Sequence, residues 1–199
     1  MDEKKLLAKV KKGDLESFNI LVEKYQKHVY NIAYRFMGSR EDASDAAQEA
    51  FLKAYRSISK FRNDASFKTW LYHITANVCR DELRKRKNTS VISLDVPIMG
   101  DDGQEIDRQL KSGNPSPEEQ FEVKENQSFV QEVINSLPED YRIILILREL
   151  QGLSYEEITE ALNCSMGTVK SRLSRARKLF KDKIINIREQ NDISKRQVR

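Results

Sequence analysis

The sequence predicts an all-α protein of two small helical domains joined by a flexible linker. Three observations carry this. Apolar residues recur at helical spacing almost throughout the 199 residues, and no segment alternates as a strand would. Residues 88–117 break the pattern, with Pro97, Gly100, Gly103, Gly113, Pro115 and Pro117 set among many acids. Residues 153–178, LSYEEITEALNCSMGTVKSRLSRARK, read as two short helices around a tight turn.

The elements follow in order. A first helix covers about residues 3–12 and stops at Gly13. A second, residues 15–36, carries Phe18, Leu21, Val22, Tyr25, Val29, Ile32, Ala33 and Phe36 on one side, with Gly38 as its stop. Ser39, with Glu41 and Asp42 behind it, opens a third helix running to about Phe61. Residues 62–65 are a loop, and Ser66 caps a fourth helix that reaches Lys87. This first domain spans residues 1–87. The linker's roughly 30 residues could stretch about 100 Å, so the two domains need not touch. In the second domain, residues 118–185, a helix with Phe121, Phe129, Val130, Val133, Ile134 and Leu137 ends at Pro138. The next, PEDYRIILILREL, ends at Gly152. Residues 186–199 read as a frayed tail.

In the helix-turn-helix, Ser154 and Glu157 form a capping box, and Asn163-Cys164-Ser165 supplies a left-handed break and a new N-cap. Thr159, Asn163 and Val169 stand at the turn positions. Val169, Leu173, Ala176 and Phe180 face inward, which leaves Thr168, Lys170, Ser171, Arg172, Arg175 and Arg177 outward. A narrow helix with a polar, basic outer face fits a DNA major groove. The net charge of +4 is modest, but its distribution is not. Five bases face two acids over residues 80–87, and seven face one over residues 165–183. Two basic clusters flanking an acidic stretch point to two nucleic-acid contact surfaces.

Asp42, Asp45 and Glu49 share one face of the third helix. Charge pattern alone leaves three readings: a solvated acidic face by default, a docking surface for a basic partner, or catalysis. No E-x-x-H accompanies them, and His28 and His73 stand alone, so no metal or cofactor is expected. In the fourth helix, Phe67, Trp70, Leu71, Ile74, Val78 and Leu83 form a core stripe beside Tyr72, His73 and Asn77. Aromatics interleaved with cations next to a loop also suit stacking on unpaired bases. Cys79 and Cys164 lack metal-ligand spacing and read as neutral thiols. The charged N-terminus has no signal-peptide core, and the longest aliphatic run, residues 143–147, cannot span a membrane. A cytosolic protein is expected.

The strings GDLESFNILVEKY, DASDAAQEAFLKAYRSISKF, FKTWLYHITANVCRDELRKR, SLPEDYRIILILRELQGLSYEEI and GTVKSRLSRARK, in this order, resemble the extracytoplasmic-function sigma factors. The pattern is similar to the envelope-stress members of that group. The resemblance implies a non-enzymatic transcription factor without cofactor or small-molecule substrate, not itself membrane-embedded. The first domain would be sigma region 2 and the second sigma region 4. It implies that Asp45, Gln48, Glu49, Phe51 and Leu52 dock on core RNA polymerase, in place of a merely solvated face. Asp64, Ser66, Lys68, Trp70, Tyr72, His73, Asn77, Arg80 and Arg84 would hold the melted single-stranded −10 element. Thr168, Lys170, Ser171, Arg172, Arg175 and Arg177 would read the duplex −35 element. An anti-sigma factor is the further partner it implies. Two other classes compete: a helix-turn-helix regulator that binds an operator as a dimer and carries an N-terminal sensing domain, and a nuclease built on Asp42, Asp45 and Glu49.

Overall fold

The computed structural model describes residues 2–62, 65–90 and 117–197. Among them every regular element is helical: α1 (Glu3–Val10), α2 (Leu15–Met37), α3 (Arg40–Ser57), α4 (Phe67–Ser90), α5 (Pro117–Asn135), α6 (Glu139–Leu145), α7 (Tyr155–Leu162) and α8 (Met166–Gln197). The predicted linker, apart from its ends, lies outside the described residues.

Local chemistry sets most boundaries. Asp14 and Ser39 accept from backbone N–H groups at the starts of α2 and α3, at 3.2 and 3.4 Å. Gly38 ends α2 at φ 81°, a left-handed conformation that its missing Cβ permits. The expected third helix is shorter than read: it ends at Ser57, and Ile58–Lys60 tighten into a 3-10 turn. The apolar run after Pro138 is also less regular than expected. It leaves α6 as a π-helical turn, Ile146–Leu150, in which the Gln151 N–H reaches back to the Ile146 carbonyl at 3.1 Å.

Residues 186–199, read as a tail, are helical as far as the described residues reach. α8 continues to Gln197, because no Gly or Pro follows Gly167 to stop it.

α2, α3 and α4 pack on one another, with α1 against α2; α6, α7 and α8 form the second domain with α5. Ala43, Ala46, Ala47, Ala50 and Ala54 make the buried face of α3, and such a stripe of small side chains lets neighbouring helices approach closely. The domains do touch. α4 lies on α7, and α2 lies on α5 and the π-helical turn. The buried apolar residues, from Leu6 to Ala176, form one continuous cluster through both domains. Spare reach in a linker permits separation but does not require it; the apolar ends of α2 and α5 bury one another instead.

Candidate nucleic-acid interface and docking face

The outer face of α3 is built by the helical repeat. With its alanines buried, Asp45, Gln48 and Leu52 fall on the exposed side, and Glu49 is half-buried beside Lys53 at 3.8 Å. Leu52 is 50% exposed, an unusual place for a leucine without a partner. Phe51 is half-buried at the margin, edge-on to Phe18 with centroids 6.5 Å apart. Asp42 does not belong to this face. Arg86 of α4 grips it with two guanidinium nitrogens, and those bonds hold its carboxyl below the usual carboxylate range. The result is a short acidic stripe that ends in one exposed apolar residue, suited to a basic, partly apolar helix.

Ser66 caps α4, its Oγ 3.0 Å from the Thr69 N–H, as expected. The expected contact residues on this helix are not all on one surface. Ser66, Asn77 and Arg84 are exposed; Lys68, Trp70, His73 and Arg80 are half-buried; Asp64 lies outside the described residues. Trp70 stacks at an angle on Phe61 and Phe67, at 5.0 and 5.7 Å, which fixes its ring. Tyr72 is a correction. It is fully buried, and burial raises its phenol pKa. The 3.6-residue period that turns Trp70 outward turns Tyr72 inward, towards Tyr25 of α2.

Several of these groups are already engaged by the second domain. His73 Nδ1–H donates to the Ala161 carbonyl at 2.7 Å, which leaves Nε2 to accept from the Asn77 amide at 2.9 Å. Arg80 pairs with Asp140 at 3.2 Å. The Tyr72 hydroxyl donates to Gln151 at 3.4 Å. A groove of about 290 Å³ remains beside this seam, lined by Ala65, Thr69, Trp70, His73, Glu160 and Asn163.

The helix-turn-helix forms as its sequence dictates. Ser154 and Glu157 make both bonds of the capping box, at 3.1 and 2.7 Å. Asn163 takes φ 47°, alone among the described non-glycine residues in being left-handed, and Ser165 caps α8. Val169, Leu173 and Ala176 are buried. Lys170, Ser171 and Arg175 are exposed, and Thr168 is half-buried at the first turn. Arg172 and Arg177 stand on the same helix but are paired, with Asp140 at 3.1 Å and Glu149 at 2.6 Å.

Three groups at the domain junction escaped the sequence reading. Arg142 is buried within an apolar run, where burial depresses its guanidinium pKa. It donates to the Phe36 carbonyl at 2.6 Å, to Leu137 at 3.1 Å and to Asn135, serving the spent ends of α2 and α5 at once. A cation inside PEDYRIILIL was the available signal. Gln131 is buried and bonds Arg35 twice, at 3.1 Å each. Asp140 holds one arginine from each domain. Cys79 is buried, and burial pushes its thiol up to about 12, so the thiolate is disfavoured. Among the described residues no three His, Cys, Asp or Glu side chains gather as metal ligands, and no helix is long and apolar enough to cross a membrane.

Comparison with known proteins places both domains. The family model for Sigma-70 region 2 matches residues 21–89. That for Sigma-70, region 4 matches residues 130–180. The chain is 37% identical over 188 residues to the ECF RNA polymerase sigma-E factor of Haemophilus influenzae, covering 92% of this chain and 96% of that one. It is 41% identical over 179 residues to the sigma-E factor of Escherichia coli K12 (90% and 92% covered). It is 40% identical over 179 residues to the RNA polymerase sigma-H factor of Pseudomonas aeruginosa (88% and 90%). The fold is similar to CnrH in its complex with the cytosolic domain of CnrY, at 21% identity and TM-score 0.67, covering 93% of this chain and 99% of that one. It is also similar to RpoE of Bartonella quintana in complex with the anti-sigma factor NepR, at 22% identity and TM-score 0.65 (84% and 96%). Two family regions in their proper order, and close relatives matched over nearly their whole length, mean that this chain belongs to the extracytoplasmic-function group of RNA polymerase sigma factors.

Proposed function

We propose that this protein joins core RNA polymerase through α3, reads the −35 duplex with α8, and holds the unpaired −10 strand on α4. The observation that carries this is the division of surfaces. One chain bears an acidic docking stripe on α3, a basic face on α8, and an aromatic–basic face on α4. Asp45, Gln48, Glu49 and Leu52 meet the polymerase, with Phe51 bracing them. Lys170, Ser171, Arg172, Arg175 and Arg177 meet duplex DNA, with Thr168 at the helix start. Trp70 supplies a π-face for an unstacked base, His73 and Asn77 supply polar edges, and Lys68, Arg80 and Arg84 meet phosphates. Asp64 and Ser66 are assigned to the point of strand separation. These assignments place the protein in the cytoplasm with the polymerase.

Strand opening here draws on binding energy alone. Extruding a base costs a few kcal/mol, and stacking on an aromatic returns about 1–3 kcal/mol per base. Because the two are close, promoters should need nearly optimal −10 sequences. Control by an anti-sigma factor is part of the proposal. CnrY and NepR are partners of the two structural neighbours, and the exposed α3 stripe offers such a partner a surface on this chain.

The test is run-off transcription with purified core polymerase on a promoter library. Promoter-specific transcripts that depend on the added chain are expected, and Leu52→Arg should abolish them while leaving the fold intact. Transcripts that tolerate most single −10 changes would sink the near-consensus requirement. DNA binding that never recruits polymerase would instead mark an operator-binding repressor.

A further inference from the structure

α1 contributes to none of the three surfaces, and it lies before residues 21–89, the stretch that matches sigma region 2. Its buried side, Leu6, Leu7 and Val10, packs on α2. Each end is fastened as well. At the start, the Glu3 carboxylate accepts from Lys24 and from the Tyr25 hydroxyl of α2, the latter at 2.7 Å. At the end, Lys11 reaches the segment that precedes α4. Its Nζ donates to the Phe61 carbonyl at 2.7 Å, 50 positions further along the chain. The same ammonium stands over the Phe61 ring, 5.4 Å from the centroid.

Phe61 sits where the 3-10 turn ends and the backbone becomes extended, at φ −69° and ψ 112°. Its N–H bonds the Ile58 carbonyl at 3.1 Å, while its own carbonyl, past that turn, accepts from Lys11. The Phe61 ring is buried against Phe67 and Trp70, with centroids 5.9 and 5.0 Å away. Phe67 leans in turn on Tyr25 of α2, at 5.6 Å. The half-buried Trp70 ring is therefore held from two sides, by α2 through Phe67 and by α1 through Phe61. The two supports differ. Phe67 belongs to α4 and moves with it, whereas Phe61 lies before the helix and takes its carbonyl bond from α1.

We infer that Lys11 is a positioning residue for promoter opening: by fixing the carbonyl and ring of Phe61, it holds the Trp70 ring in the orientation that receives an unpaired base. The inference rests on the reading that α4 holds the −10 strand. Lys11 itself touches no DNA. It acts on the base only through Phe61 and Trp70. A ring that is ordered only on binding loses part of its stacking energy to that ordering, so a ring set in advance stacks more tightly. The buried leucines of α1 and its Glu3 anchor decide where the ammonium stands.

Trp70 is the sole tryptophan of the chain, so its fluorescence reports on the shelf directly. Lys11→Met keeps a long apolar stem and removes the ammonium. In the free chain it should make Trp70 easier to quench with acrylamide, and Lys11→Arg should restore the protection. In reconstituted holoenzyme, Lys11→Met should bind a fluorescent −10 non-template strand, cut from a promoter that the holoenzyme selects, about fivefold more weakly. The salt dependence of that binding should keep its slope, whereas losing a lysine that touched a phosphate would lower the slope by about 0.7. Added to Trp70→Ala, Lys11→Met should cost nothing further. Binding of the −35 duplex should stay unchanged, which also verifies that the variant is folded. Unaltered quenching or strand binding in Lys11→Met overturns the role of Lys11. So does a lower salt slope, an additive loss in the double variant, a loss that Lys11→Arg leaves in place, or a parallel fall in duplex binding. If Trp70→Ala itself leaves strand binding intact, the assignment of α4 fails and the inference falls with it.

Discussion

The two helices proposed to contact DNA, α4 in the first domain and α8 in the second, are built by opposite strategies. α8 buries only Val169, Leu173 and Ala176 in its first half and leaves its basic side free. It follows a capped turn whose every bond is local. α4 is shared between three tasks. Phe67, Leu71, Tyr72, Ala76, Val78 and Cys79 are core, Trp70 and Lys68 form a half-buried margin, and His73 and Arg80 are occupied by the other domain. The difference teaches that a duplex reader can be a self-contained module, whereas a strand holder needs a rigid aromatic shelf. Such a shelf exposes apolar surface, and here it is covered.

The largest effect should come from the junction beneath the covered face. Arg142→Ala strands the Phe36, Asn135 and Leu137 carbonyls and is expected to cost about 3 kcal/mol in urea unfolding. A loss below about 1 kcal/mol would mean that water replaces the guanidinium and that the fastening is weak. Next, Trp70→Ala should lower run-off transcription by tenfold or more, since stacking is worth about 1–3 kcal/mol per base. Its −35 duplex binding should not change, and a parallel loss there would break the separation of the two faces. On α8, Arg175→Ala should weaken duplex binding by about 1–2 kcal/mol and flatten its salt dependence. Arg172→Ala should cost less, because Arg172 must first release Asp140. Equal losses from the two would show that Asp140 is no competitor.

The smallest effect concerns pH. The Arg86 bonds lower the Asp42 pKa against the opposing effect of burial. The pair therefore stabilises the fold above the ordinary carboxylate range, and this contribution is lost as pH falls through the lowered value. Arg86 is substantially exposed, so the contribution stays below about 1 kcal/mol. Asp42→Asn should remove that part of the acid-limb loss in a pH series of thermal melts, leaving α3 docking unchanged. A fall in polymerase binding would return Asp42 to the docking face.

The helix-turn-helix was legible almost residue by residue, because caps, left-handed breaks and apolar periodicity are near-neighbour properties. Ser154, Glu157, Asn163 and Ser165 do what their chemistry implies. The alanine stripe of α3 likewise fixed which of its residues face outward. In α4 residue type was less informative than periodicity, because Trp70 and Tyr72 are both aromatic yet fall on opposite sides of the helix. Asp42 looked like a member of the α3 acidic row until α4 brought Arg86 to it across the fold. Arg142 showed only as a cation in an apolar run, and Gln131 and Gln151 gave no signal, since the partners that matter across the junction lie 96 or more positions away in Arg35 and Phe36, or 79 away in Tyr72.

The sequence by itself therefore determined the all-α class and the helix-turn-helix, since both depend on spacing within a few turns of one helix, and its resemblance to a family pointed to the two domains and three candidate surfaces. Tertiary structure alone decided which of those surfaces is open. Whether His73, Arg80 and Arg172 face solvent or Ala161 and Asp140 depends on how the α2 and α5 ends meet. That meeting is governed by buried carbonyls and the one guanidinium that serves them, Arg142, whose partners on α2 no local pattern encodes.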